Sequence, residues 1–80
     1  MHVYIRLHYN GRPLSEAKIT YESKTVDDPS PDYTGDDGIA KTSWRDKWHK
    51  HSVTAYYEGK RLGTITLSDG LNKTYDISQL

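Results

Sequence analysis

The stretch His2-Val3-Tyr4-Ile5-Arg6-Leu7-His8-Tyr9-Asn10-Gly11 alternates residue by residue before it reaches a turn signal. Val3, Ile5, Leu7 and Tyr9 fall on one side, His2, Tyr4, Arg6 and His8 on the other. Successive strand side chains point to opposite faces, so this pattern predicts a strand with one dry face. Asn10-Gly11 tolerates positive φ and Pro13 cannot donate to a ladder, so Asn10-Gly11-Arg12-Pro13 reads as a turn.

The same alternation recurs outward from there. Ala17, Ile19 and Tyr21 alternate with Lys18, Thr20 and Glu22 in a second strand. The run Val26-Asp27-Asp28-Pro29-Ser30-Pro31-Asp32 is loop, and Asp36-Asp37-Gly38 is a tight turn. A third strand follows from Ile39 to Trp44, with Ala40, Thr42 and Trp44 on one face. Residues 45–50 are charged and lack period-2 patterning, so they read as a connecting loop. Val53, Ala55 and Tyr57 mark a fourth strand, Glu58-Gly59-Lys60-Arg61 a hairpin turn, and Gly63, Ile65 and Leu67 one face of a fifth. After Ser68-Asp69-Gly70, the last strand places Lys73, Tyr75 and Ile77 together. Short strands with turn signals every ten or so residues predict an all-β fold: a small two-sheet antiparallel β-sandwich of about six or seven strands. The expected core is Val3, Ile5, Leu7, Ala17, Ile19, Tyr21, Ala40, Trp44, Val53, Ala55, Tyr57, Ile65, Leu67, Tyr75 and Ile77.

Eighty residues with no internal repeat or linker make one domain, 1–80, with a thin core. There is no cysteine, so neither a disulfide nor a thiolate ligand is possible. Phenylalanine is also absent, whereas tyrosine occurs seven times; its ring packs inward while its hydroxyl reaches the wet edge. Lysine plus arginine equals aspartate plus glutamate, 11 each, which leaves no net field to attract nucleic acid. No apolar run approaches the ~20 residues of a membrane span.

The turns and anchors resemble a known group. Val3-x-Ile5…Asn10-Gly11-Arg12-Pro13-Leu14-x-x-Ala17-x-Ile19 is similar to the opening of carboxypeptidase-regulatory-like domains, within the wider transthyretin-like (prealbumin-like) sandwiches. Thr34-Gly35-Asp36-Asp37-Gly38-Ile39-Ala40, Val53-x-Ala55-x-Tyr57-x-Gly59-Lys60 and Leu67-Ser68-Asp69-Gly70 resemble that group's later hairpins and turns. Where the group carries a proline-glycine turn before the Val53 strand, this chain has Arg45-Asp46-Lys47-Trp48-His49-Lys50-His51. The resemblance implies a transthyretin-like sandwich and a non-catalytic accessory module. Such a module serves as a folding aid, a spacer, or a surface for protein or glycan contact.

The residues themselves offer little catalytic pattern. Ser15, Ser43, Ser52 and the histidines are raw material for a triad, but no nucleophile elbow and no glycine-rich phosphate cradle accompanies them. His49-x-His51 could place two imidazoles on one face of a strand, with Asp46 adding an oxygen; zinc needs three or four converging ligands. Asp27, Asp28, Asp32, Asp36 and Asp37 could face calcium, although their spacing suits turn chemistry better than a calcium loop. The expectation is therefore no catalytic residue, no metal and no cofactor. The aromatic set Tyr4, Tyr33, Trp44, Trp48, Tyr56 and Tyr57 points instead to binding. Trp48, beside Arg45, Lys47, His49 and His51, suits a protein interface anchor, with Tyr33 adding a ring nearby. A protein partner at Arg45, Lys47, Trp48, His49, His51 and Tyr33 is thus expected, with a carbohydrate stacked on exposed Trp and Tyr as the alternative.

Overall fold

In a computed structural model, which describes residues 1–27 and 29–80, the first strand turns at Asn10-Gly11 with φ of 51° and 78°. Both angles lie where asparagine and glycine are at ease, and the two-residue turn sets Tyr9 opposite Arg12. Glu58-Gly59 repeats the device and sets Tyr57 opposite Lys60.

Six strands of five residues or more carry the fold: β1 (His2–Tyr9), β3 (Lys18–Glu22), β5 (Ile39–Ser43), β6 (Ser52–Tyr57), β7 (Lys60–Thr66) and β8 (Leu71–Asp76). The two-residue segments β2 (Arg12–Pro13) and β4 (Asp32–Tyr33) bring the described total to eight. In one sheet β8 runs along one edge of β1 from Val3 to His8. The other edge of β1 is shared by β5, over residues 2–6, and β2, over residues 8–9. The second sheet has the order β4-β3-β6-β7. All described pairings are antiparallel but one: β8 lies parallel to β1. The alternation fixes which face of a strand is dry, but not which neighbour it takes or in which direction.

The two sheets meet over Val3, Ile5 and Leu7 of β1, Ile19, Ala40, Val53 and Ala55, Ile65 of β7 and Leu67, with Ile77 closing one end. Tyr21, Tyr57 and Tyr75 pack against this cluster half-buried, as their polar tips require. Four placements differ from expectation. Tyr9 is exposed, because β1 has by then left the sheet interior for the hairpin, and Lys73 is solvated on the outer strand β8. Leu62 is buried: a bulge opposite Ala55 and Tyr56 inserts it into β7 and breaks the period-2 phase there. Val26 is buried although it lies outside any strand. Thr34 is the one buried polar residue among those described. Its hydroxyl donates to the Leu14 carbonyl at 2.5 Å and accepts the Ala17 N–H at 2.8 Å, which fixes the approach to β3.

One side of the sandwich is closed. A Cβ on Gly63 of β7 would stand only 3.1 Å from the Tyr75 hydroxyl of β8, so the tyrosine seals the gap between the sheets there. Gly38 is equally constrained, at φ 77°, since a Cβ would lie 2.8 Å from the Leu7 carbonyl oxygen and from Pro13 Cβ. Two carboxylates staple the ends of β8. Asp69 accepts the His2 N–H at 2.8 Å. Asp76 accepts the N–H groups of Ser78, Asn10 and Gly11 at 3.0, 3.1 and 2.9 Å.

Ile65 has no exposed surface, so Ile65→Ala should lower the unfolding free energy by about 2–5 kcal/mol in denaturant titrations. A loss below about 0.5 kcal/mol would place it outside the core. The second expectation concerns acid. The Ser78 hydroxyl, reinforced by the Gly11, Ser78 and Asn10 amides, holds the Asp76 carboxyl at about 2, below its ordinary 3.8. The His2 amide lowers Asp69 in the same direction. Folded chain therefore prefers both carboxylates ionised. Their contribution is complete above the ordinary value and is lost as pH falls from about 4 to about 2. Melting temperature should drop across that window in the native protein, and Asp76→Asn should show a smaller drop; equal slopes would dismiss the staple.

Candidate functional site

The segment after β5 is not the structureless connection expected from its composition. Arg45 is extended and leads into a single 3-10 turn, Asp46–Trp48. Trp48 N–H donates to the Arg45 carbonyl at 3.0 Å, and His49 N–H to that of Asp46 at 3.0 Å. Lys50 then takes φ 71° and reverses the chain. Its N–H donates to the Leu67 carbonyl at 2.7 Å, and Leu67 N–H donates to that of His51 at 2.8 Å. Seven charged, aromatic and imidazole residues are thereby held on a pinned backbone.

Trp44 is core, 8% exposed, and meets Tyr21 edge-on with ring centroids 5.3 Å apart. Trp48 is half-buried against that core. The Lys47 ammonium sits 4.5 Å from its ring centroid and the His51 ring stands edge-on at 5.5 Å. Around it Arg45, Lys47, His49 and Lys50 are exposed. Among the described residues, the one ion pair within 4.0 Å joins the Met1 amino group to Asp46, so Arg45, Lys47 and Lys50 face solvent with no acid partner.

Opposite the closed side, the sandwich has an open mouth between β4 and β5. A groove of about 250 Å³ runs there, lined by Trp44, Trp48, Arg45, Lys41, Val26 and Asp32, among others. A second, of about 450 Å³, continues past Lys41 to Tyr33, Asp36, Asp37 and Ile39. Inside the mouth the hydroxyls of Tyr21, at 2.7 Å, and Thr42 both donate to the same Asp32 oxygen. Burial, then the neighbouring Asp32 charge, pushes the Tyr21 phenol far above its usual range, so it stays a neutral donor. Trp44's indole N–H, by contrast, has no acceptor among the described residues.

The structure thus divides the expected partner-binding residues. Arg45 and Trp48 line the smaller groove, and Tyr33, 60% exposed, lines the one beyond Lys41. His51 turns to a third hollow, with Lys50, Glu22 and Thr54, while Lys47 and His49 are exposed and line none of these three hollows. Lys41, Thr42 and Asp32 join the site although no local pattern brings them together: Thr42 and Asp32 are ten residues apart in the chain and meet across the mouth.

Other candidates take ordinary local roles. Asp37 accepts the Ile39 N–H at 3.0 Å, and Asp36 accepts the Ser15 hydroxyl at 3.3 Å, so both serve the turn. Asp28 lies outside the described residues. His49 closes the 3-10 turn and His51 precedes β6, so the two imidazoles do not share a strand face. Among the described residues no three His, Cys, Asp or Glu side chains come together as a metal site would need, and no helix is long and apolar enough to cross a membrane. Comparison with family models, with curated proteins and with solved structures finds no match.

Thermal melts with a chelator and with micromolar zinc or calcium should coincide. Stabilisation by several degrees would point to His49 and His51 for zinc, or to Asp36 and Asp37 for calcium.

Proposed function

We propose that this domain is a non-catalytic interaction module of the carboxypeptidase-regulatory-like kind, which holds a protein partner against residues 45–51 and the open mouth beside them. The observation that carries this reading is the half-buried Trp48 within a rim of cations that have no acid partner among the described residues, on a backbone pinned by hydrogen bonds. An aromatic ring in a desolvated seat with a polar surround is the usual form of an interface anchor. Loops on a rigid scaffold are where binding residues concentrate.

A sugar stacks on a flat, open ring. Here Lys47 lies over Trp48 and Trp44 is buried, so neither indole offers a bare platform. Protein contact is the better fit. Catalysis has no support in the geometry of the mouth, where both hydroxyls are committed as donors to one carboxylate oxygen and no imidazole lines the groove.

The test uses a photo-cross-linking side chain at His49, and at Thr20 on the exposed face of β3 as control. A discrete protein adduct is expected from position 49 and not from position 20. Arg45→Glu with Lys47→Glu should abolish it without changing the melting temperature, since both side chains are exposed. Trp48→Ala should also weaken capture by about tenfold or more, the effect of losing an anchor worth ~2 kcal/mol. Equal adducts from both positions, or adducts indifferent to the charge reversals, would move the interface elsewhere.

A further inference from the structure

We propose that the outer edge of β5 is a docking strand: an extended segment of the partner polypeptide adds to it through the two grooves that meet at Lys41. This rests on the reading of the domain as a protein-binding module and specifies the form in which the partner binds.

The phase of the β1–β5 ladder decides which backbone groups are free. Trp44 N–H donates to the Met1 carbonyl and Leu7 N–H to the Gly38 carbonyl, each at 2.8 Å. Hydrogen-bonded pairs recur at every second residue of an antiparallel ladder. With Val3 opposite Thr42 and Ile5 opposite Ala40, residues 40 and 42 turn their amides toward β1. Ile39, Lys41 and Ser43 therefore turn theirs away from the sheet. Ile39 shows this directly: its N–H goes to Asp37 Oδ1 and its carbonyl accepts the Gly35 N–H, both at 3.0 Å. Lys41 and Ser43 are exposed, and their N–H and C=O groups have no partner among the described residues. The neighbouring strand on that side, β4, is two residues long, pairs with β3, and reaches β5 through the Asp32 side chain on Thr42.

What remains is two outward donor–acceptor sets in one plane, ~6.8 Å apart at the usual rise of a strand. The backbone of another extended chain repeats that spacing, so strand addition answers it. The flanking side chains indicate which sequence fits. Ala40, Thr42 and Trp44 face the core, so Lys41 projects from the opposite face of the sheet, with exposed Arg45 beyond it. On the inner side the groove is lined by Trp44, Trp48 and Val26. An occupant with acidic side chains over Lys41 and Arg45, alternating with apolar ones toward the tryptophans, satisfies both faces.

The probe is the capped peptide acetyl-Glu-Val-Glu-Leu-Glu-Val-Glu-amide, with an analogue N-methylated at alternate amides. In free protein the amides of Lys41 and Ser43 should exchange with solvent at least ~100-fold faster than those of Ala40 and Thr42. The peptide should slow them and shift the amide resonances of residues 39–45, with a dissociation constant below ~1 mM. The methylated analogue should do neither. Ser43→Pro removes an outward donor at an edge position, where proline is tolerated, and should bind at least tenfold more weakly at an unchanged melting temperature. Protection of Lys41 and Ser43 in the free protein, absence of peptide-induced shifts at millimolar concentration, or equal binding of the methylated analogue would each overturn the proposal. Should Ser43→Pro fail to fold, exchange and the methylated analogue still decide. Ser43→Pro and the Arg45→Glu, Lys47→Glu pair are then compared in the photo-cross-linking assay. Adducts lost only in the charge-reversed protein leave the loop reading intact and remove the docking strand. Adducts lost only in Ser43→Pro do the reverse.

Discussion

β1 is paired along both edges, and the parallel register of Val3–His8 with Leu71–Asp76 gives the molecule its closure. With 80 residues and no disulfide, the fold has no covalent means of holding its ends together. The pairing of the first long strand with the last takes that part. Val3, Ile5 and Leu7 put their side chains into the core from the same strand, so the backbone ladder and the apolar cluster support each other. Asp69 and Asp76 then bond β8's two ends to the amides of residues 2, 10 and 11, which brings both chain-end turns under the same control.

The two lateral sides of the sandwich differ for a reason that follows from this closure. Where β7 and β8 come together, Tyr75 lies on Gly63 and fills the gap. Where β4 and β5 come together, the chain spends two residues on β4 and bridges with the polar set Tyr21, Asp32 and Thr42. This seam joins the two strands through side chains, hydroxyls on a carboxylate, and leaves the outward backbone groups of Lys41 and Ser43 without a partner among the described residues. The pinned turn carrying Trp48 stands at the end of this same opening. A rigid cationic rim and an uncapped strand edge are therefore neighbours by topology.

Much of this was legible in the residues, and the misses have identifiable causes. Alternation marked Val3, Ile5, Leu7, Ile19, Val53, Ala55 and Ile65 as core, since burial of one face writes itself into the sequence at period two. It could not mark Leu62, because a bulge shifts the phase by one residue, nor Val26, which is buried from a loop. The parallel partner of β1 was invisible, as its contacts join residues 68 positions apart and no local rule encodes them. Arg45 and Trp48 were singled out by composition. Lys41 carries no mark in the sequence, and Asp32 is marked only as one acid of a calcium-like set, because membership in the mouth depends on how two strands approach. The amides of Lys41 and Ser43, which have no partner among the described residues, leave no trace in side-chain patterning at all.

The parallel arrangement of β1 and β8 also bears on how the domain would respond to tension. β1 starts at the same end of the molecule as β8, so the chain enters at one end of the pair and leaves at the other. A pull on the two termini is directed along the strands and in opposite senses. The six registered pairs from Val3–Leu71 to His8–Asp76 then carry the load together, in shear, instead of opening one after another from an end. Forced opening is governed by the unfolding rate and not by equilibrium stability. A thin-cored domain can thus resist stretching along its termini more than its equilibrium stability alone would suggest.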